Sequence, residues 1–132
     1  MAIEINDTLA NSRADQITTA RDAGAGAGLI RIYDGARPAK GGAATTLLAE
    51  LTFSDPSSPS AASGVLTAST ITGANAVATG TATWYREVDS NGLFVLDGDV
   101  GTSGSDLNLN TVSIVTGNPV NITSYVVTEG NL

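Results

Sequence analysis

The sequence contains no histidine and no cysteine among its 132 residues. Histidine is the commonest general base and metal ligand, and cysteine is a common nucleophile, so their absence disfavours most enzyme mechanisms and metal centres. A chain without cysteine also lacks the disulfide framework that small secreted domains use, which favours assembly inside a cell. We therefore expect a scaffold that is not an enzyme, with no catalytic, cofactor-binding or metal-ligating residue.

Charge is scarce as well, and basic charge most of all. Only 14% of the residues are charged, and 13 acidic residues against 6 basic ones give a formal net charge of −7. The basic residues form no run, and none follows Arg86. Nucleic acid is therefore not an expected partner. A surface so poor in Lys and Glu indicates that part of it is covered by another protein.

Long apolar runs are absent too. No segment approaches the roughly 20 residues that a membrane span requires, and the N-terminus lacks the pattern of a signal peptide. We expect synthesis in the cytoplasm as a soluble protein, with no membrane partner. The chain length fits one domain that is large enough to bury its own core.

The pattern near the N-terminus predicts one helix over residues 7–22. Asn6 or Asp7 can cap its start, and the glycine-rich stretch 24–28 ends it. Leu9, Ile17 and Ala20 form the expected apolar stripe. These glycines partly match a dinucleotide-binding fingerprint, but they follow a helix and precede a strand, which is the reverse of the order that the fingerprint requires.

From Leu29 onward the apolar residues repeat every second position, which is typical of strands. The clearest strands are 29–33 and 47–53, and the Asn91-Gly92 pair predicts a hairpin between strands 81–88 and 93–96. Two weaker strands are expected at 65–70 and near 76–79. A loop is expected at 98–105, followed by strands at 107–109, 112–115 and 120–127.

Short strands separated by turns about every ten residues predict a mainly β fold. We expect an antiparallel β-sandwich, of jelly-roll or immunoglobulin-like topology, with one N-terminal helix. Residues 1–28 form the arm and helix that pack on the domain, residues 29–132 form the sandwich, and together they make a single domain.

Two neighbouring aromatic residues are candidates for different roles. Trp84 and Tyr85 are adjacent in a strand, so their side chains point to opposite faces. Trp84 shares its face with Ala82 and Val88, which predicts a core position. Tyr85 is then expected on the outer face, as a contact residue.

The segment from Asp97 to Asp106 superficially resembles a calcium loop, but the required ligand spacing fails. Gly101 and Asn108 occupy the fifth and twelfth positions, where oxygen-bearing and acidic side chains are needed. Paired carboxylates such as Asp97 and Asp99, or Glu87 and Asp89, are also conceivable acid/base groups for sugar hydrolysis. We interpret them instead as ordinary surface charges of strand ends and turns.

Several strings, in the same order along nearly the whole chain, resemble a group of small proteins encoded by tailed bacteriophages. The strings are LIRIYDGARP (29–38), LLAELTFSDP (47–56), GTATWYR (80–86), DLNLN (106–110) and VVTEGN (126–131). The resemblance implies a virion structural protein, most like a capsid decoration or cement protein that stabilises the assembled shell. It implies the capsid surface as location and the major capsid protein, or further copies of the chain, as partners.

Charge position and the alternating arm indicate where such contacts lie. Ile3 and Ile5 belong to the arm, Arg37 and Lys40 to a loop where they can meet carboxylates on the shell, and Tyr85 to the expected outer face. The strand at 65–70 is the expected place for pairing between chains.

Two alternatives remain open at this point. One is a tail or connector component of the virion. The other is a carbohydrate-binding adhesion module, which would use Tyr85, Tyr125 and the acidic loop from Asp97 to Asp106.

Overall fold

The computed structural model describes residues 4–128, so Ile3 of the predicted arm lies outside the described residues. Within them a helix, α1, spans Asp7–Arg21. The strands, in chain order, are β1 (Leu29–Tyr33), β2 (Leu47–Thr52), β3 (Val65–Thr67), β4 (Ala74–Asn75), β5 (Gly80–Thr81), β6 (Trp84–Val88), β7 (Phe94–Gly101), β8 (Leu107–Leu109), β9 (Ser113–Ile114), β10 (Pro119–Val120) and β11 (Ile122–Thr128).

Seven of these strands form one curled sheet in the order β2-β1-β6-β7-β8-β11-β3. Strand β7 pairs with β8 in parallel, while the other neighbours in this sheet are antiparallel. Two short ribbons, β10-β4 and β5-β9, accompany it. The mainly β fold with one N-terminal helix is confirmed, and the curled sheet is compatible with a sandwich-like arrangement. The expectation of a purely antiparallel sheet is wrong at the β7–β8 pair.

Helix α1 begins where the sequence predicted. The Asn6 side chain accepts the Leu9 amide hydrogen at 2.8 Å and caps the helix, which ends at Arg21 with Asp22 as C-cap. The expected apolar stripe is wrong at two of its three positions, because Leu9 and Ala20 are exposed. The buried helical residues are Ala10, Ala14 and Arg21.

Polar side chains hold the helix to the loop that follows β2. Asn11 accepts the amide hydrogen of Gly64 at 2.8 Å, and Asp15 accepts that of Ala61 at 2.7 Å. Ala14 packs against Ala61 and Leu66 in a small apolar cluster. An apolar stripe is not needed for docking here, since the helix satisfies loop amides that would otherwise lack partners.

The strands β1, β2 and β6 form the centre of the core. Ile30 and Ile32 of β1 are fully buried, and the register between β1 and β2 shifts at Ile32 and Tyr33. This irregularity accounts for the burial of both Leu48 and Ala49, although strict alternation predicts opposite faces for them.

The predicted hairpin between β6 and β7 is confirmed. The Gly92 amide donates to the Asp89 carbonyl at 3.0 Å, and Gly92 has a φ of +82°, which a glycine adopts without strain. Strand β7 continues through Gly101, so the loop predicted at 98–105 is wrong in its first part. The strand predicted at 76–79 is also wrong, because the structure places short strands before and after it.

Strand β3 lies at one edge of the seven-stranded sheet, within the segment expected to pair with other chains. On its outward side, Val65 exchanges both backbone hydrogen bonds with Ala62, and the nearby Ser69 amide donates to the Ser57 carbonyl at 2.9 Å. The protein's own loop thus occupies these positions of the edge. The expected pairing surface is therefore largely closed.

Candidate functional site

The structure separates the predicted contact residues into exposed and buried groups. Ile5 is half-buried just before α1, while Arg37 and Lys40 are exposed in the loop between β1 and β2. Tyr85 retains only 2% of its surface, so its expected place on the outer face is wrong. The exposed candidates are therefore Arg37 and Lys40.

Both neighbours in β6 are buried because both faces of this strand are covered. Tyr85 points to the main core, and its hydroxyl lies 2.8 Å from that of Tyr125. Trp84 points to the opposite face, where its ring stacks on Tyr33 at 4.4 Å. Its indole nitrogen donates to the carbonyl of Asp34 and to the hydroxyl of Thr45, both at 3.0 Å. The predicted burial of Trp84 is confirmed.

The loop between β1 and β2 folds over this second face of the sheet and is held by Arg86. The Arg86 guanidinium makes a two-point ion pair with Asp97, at 2.7 and 3.0 Å, and donates to the Gly42 carbonyl at 2.8 Å. It also lies 5.3 Å from the ring centroids of Trp84 and Phe94. Hydrogen bonding of the guanidinium to the Asp97 carboxylate raises the pKa of Arg86, although burial opposes its charge. The loop is thus anchored to the sheet.

We define the cationic loop surface as Arg37, Lys40 and the neighbouring Phe94 and Val95 of β7. Together with Leu96 and Asp97 these residues line a shallow depression of about 290 Å³. Arg37 pairs with Asp99 at 3.0 Å, and both side chains are about half exposed. Among the described residues, no carboxylate lies within ion-pair distance of Lys40. The surface combines an arginine and an aromatic ring, two residue types that are enriched at protein interfaces, with the charge of Lys40.

A second group of polar residues is buried where helix, loop and sheet meet. The Arg21 guanidinium makes two hydrogen bonds to Glu87, one of them at 2.9 Å, and donates to the Ser58 hydroxyl at 3.1 Å. It lies 4.7 Å above the Phe53 ring. The Tyr125 hydroxyl donates to the same carboxylate. We call Arg21, Glu87, Tyr85 and Tyr125 the buried cluster.

Burial and neighbouring charges shift the pKa values of three residues of the buried cluster, Arg21, Tyr85 and Tyr125. Burial raises the pKa of both Tyr85 and Tyr125 above its usual range, and the negative charge of Glu87 raises each further. Burial opposes the charge of Arg21, but hydrogen bonding and attraction to Glu87 raise its pKa. Tyr85 and Tyr125 therefore stay neutral and Arg21 stays positively charged at neutral pH.

The buried cluster contains the kinds of side chain that form reaction centres, but a substrate cannot reach them from solvent. Glu87 and Arg21 are 0% and 1% exposed, and the carboxylate already receives hydrogen bonds from Arg21 and Tyr125. A general base must lie within hydrogen-bond reach of its substrate. The arrangement instead joins α1, β6 and β11, which are far apart in sequence.

The acidic loop is organised by internal bonds. The Asp97 carboxylate is paired with Arg86, and the Asp106 carboxylate accepts the Asp99 amide hydrogen at 3.0 Å. Within residues 4–128, no three acidic side chains are grouped so that they could hold a metal ion. Tyr85 and Tyr125 are buried, so the surface expected for sugar stacking is not formed.

The sequence analysis missed Arg21 and Glu87. Arg21 lies in the last helical turn, where a basic residue is ordinarily explained by the helix dipole. Glu87 and Asp89, predicted as surface charges, are both buried, so this prediction is wrong for the pair. The sequence offers one local indication of the cluster: Glu87 lies two residues after Tyr85, so both side chains point to the same face of the strand.

Comparison with known proteins identifies no relative, since no family model, curated protein or solved structure matches the chain. Residues 4–128 contain no helix that is long and apolar enough to cross a membrane.

Proposed function

We propose that this chain is a structural protein of a bacteriophage virion, and that it decorates the assembled capsid without catalysing a reaction. The resemblance of several sequence strings to small proteins of tailed phages motivates the proposal. The observation in the structure that best supports it is the cationic loop surface, which Arg86 anchors to the sheet.

The mechanism of such a protein is binding alone. Copies that bind the assembled shell, and not its dissociated subunits, stabilise the assembly by mass action. A loop anchored by Arg86, Gly42 and Asp97 loses little further conformational freedom on docking, which favours affinity. Arg37 and Lys40 would meet carboxylates of the major capsid protein.

The first test is the copy number of this protein in purified particles of its parent phage, measured by quantitative mass spectrometry against the major capsid protein. A simple large fraction of the capsid protein's copy number supports decoration. A few copies per particle would place the protein in the tail or connector, and complete absence would overturn the virion proposal.

The second test concerns the surface itself. Purified capsids lacking the protein are mixed with the wild type or with an Arg37→Ala/Lys40→Ala variant. Exposed ion pairs contribute about 0–1 kcal/mol to stability, so this variant should fold normally. Its binding to capsids should fall at least about tenfold, because about 1.4 kcal/mol of lost contact changes the affinity by that factor.

Arg31→Ala is the matched control, because Arg31 also forms a partly exposed ion pair, with Glu50 at 2.7 Å, but lies outside the cationic loop surface. Equal binding of the wild type and the double variant would remove Arg37 and Lys40 from the proposal.

A further inference from the structure

The seven-stranded sheet contains a gap beside its shortest inner strand. Strand β8 has 3 residues, whereas its neighbours β7 and β11 have 8 and 7. It pairs with β7 only at Val100 and Gly101, and with β11 over residues 122–125. The gap lies ahead of Leu107, the first residue of β8, where no strand separates residues 96–98 of β7 from residues 126–128 of β11. We call this gap the strand slot.

The slot has the dimensions of a missing strand. Neighbouring strands in a sheet are about 4.8 Å apart. Because β8 lies between β7 and β11, the ordinary spacing places these two strands about 9.6 Å apart where β8 begins, which is the spacing that one added strand requires. The gap has a volume of about 450 Å³ and is lined by residues of both strands. Tyr85 also lines it, directly behind Gly98, which has no side chain to cover the ring.

The hydrogen bonds of β7 show which way its backbone points. The Val100 amide donates to the Thr83 carbonyl, toward β6, and the Asp99 amide donates to Asp106 on the opposite side. Because backbone groups alternate along a strand, the amide and carbonyl of Asp97 also point away from β6, into the slot.

The same alternation applies to β11. The Tyr125 carbonyl accepts the Ala68 amide hydrogen on the side of β3. The amides and carbonyls of Val126 and Thr128 therefore point to the other side, into the slot. Two strand edges with hydrogen-bonding groups directed at each other, with room for one strand between them, form a site for an added strand.

The charges around the slot indicate the chemistry of its occupant. Of the described residues that line the slot, two are acidic, Asp97 and Asp106, and none is basic. Asp97 is paired with Arg86, whereas Asp106 is exposed and, among the described residues, has no cation within ion-pair distance. A second copy of this chain, with its net charge of −7, is a poor electrostatic match.

We propose that the strand slot binds an extended segment of a partner protein, carrying lysine or arginine between apolar residues, which adds as a strand between β7 and β11. Its backbone would bond to Asp97, Val126 and Thr128, its apolar side chains would contact Leu96 and Val127, and a basic side chain would pair with Asp106. The inference goes beyond capsid decoration and is independent of it.

The first measurement is amide hydrogen exchange by NMR on the full-length protein at two concentrations. The amides of Asp97 and Val126 should exchange quickly at both. Protection that is independent of concentration would mean that the chain fills its own slot, and protection that grows with concentration would mean a second copy. Either result overturns the proposal.

The second measurement uses a displayed random-peptide library selected on the wild-type protein, followed by the best binder as a synthetic peptide. Enriched sequences should alternate apolar residues with lysine or arginine, and the bound peptide should slow exchange at Asp97, Val126 and Thr128. No enrichment, or protection elsewhere, overturns the proposal.

Val126→Pro is the decisive variant, because proline lacks the backbone amide hydrogen that Val126 directs into the slot. The residue is 48% exposed. This variant should weaken peptide binding about tenfold, the equivalent of one hydrogen bond of about 1.4 kcal/mol. Val126→Ala keeps the amide and should bind as the wild type does.

Asp106→Asn tests the charge. It keeps an oxygen that accepts the Asp99 amide hydrogen but should abolish the preference for basic residues. Equal binding by all variants overturns the proposal.

Discussion

The buried ion pair between Arg21 and Glu87 gives the sharpest prediction. A Glu87→Gln substitution keeps the size of the side chain and one acceptor oxygen but removes the negative charge. Arg21 is 1% exposed and then keeps a positive charge without its partner. Breaking a buried pair from one side costs about 3–5 kcal/mol, a large part of the roughly 5–15 kcal/mol that stabilises a typical domain.

Urea unfolding followed by tryptophan fluorescence measures this loss directly, because Trp84 is the chain's single tryptophan. With a slope of about 2 kcal/mol per molar urea, a loss of about 4 kcal/mol lowers the unfolding midpoint by about 2 M. The matched control is Glu50→Gln, which breaks the partly exposed pair with Arg31 and should cost less than about 1 kcal/mol.

A double replacement tests the cause. Arg21→Met with Glu87→Leu removes both charges and leaves apolar side chains beside the Phe53 and Tyr125 rings, so it should recover most of the loss. If Glu87→Gln destabilises the protein no more than Glu50→Gln does, the reasoning is refuted, because the guanidinium then does not depend on its buried partner.

Two further predictions concern Tyr85 and its neighbours. Burial raises the pKa of Tyr85 and Tyr125, so the folded state holds protons that the unfolded state releases above about pH 10, and stability should be constant below that pH and fall above it. Absorbance titration at alkaline pH, with urea midpoints at each step, checks this; ionisation of both hydroxyls at their ordinary pKa in the intact fold would contradict it. Gly98→Ala would place a Cβ 2.5 Å from the Tyr85 ring and should cost about 1–3 kcal/mol. This penalty, measured by urea unfolding, should largely vanish in a Tyr85→Leu background, and an equal penalty there would show that the ring is not its cause.

The parts of the fold that sequence analysis predicted are those governed by neighbouring residues. Asn6 caps α1 through a residue three positions away, and Gly92 closes a turn that begins at Asp89. Both depend on contacts within one turn of chain, so their residues indicate them directly. The boundaries of β1 and β8 follow in the same way from short alternating patterns.

The errors arose where a pattern identifies two faces but not what covers them. Alternation correctly placed Trp84 and Tyr85 on opposite faces of β6, and it gave no sign that both are buried. The loop held by Arg86 covers one face, and the core covers the other. The stripe predicted for α1 failed similarly, since Asn11 and Asp15 dock the helix by accepting loop amides.

The sequence by itself therefore determined the mainly β class, the N-terminal helix and the β6–β7 turn, because these depend on local spacing and backbone preference. Only the tertiary structure decided that Arg21 meets Glu87 across 66 residues and that β7 and β11 border a slot. These features depend on which strands become neighbours, and the free energy of that choice is distributed over the whole core instead of residing in any one segment.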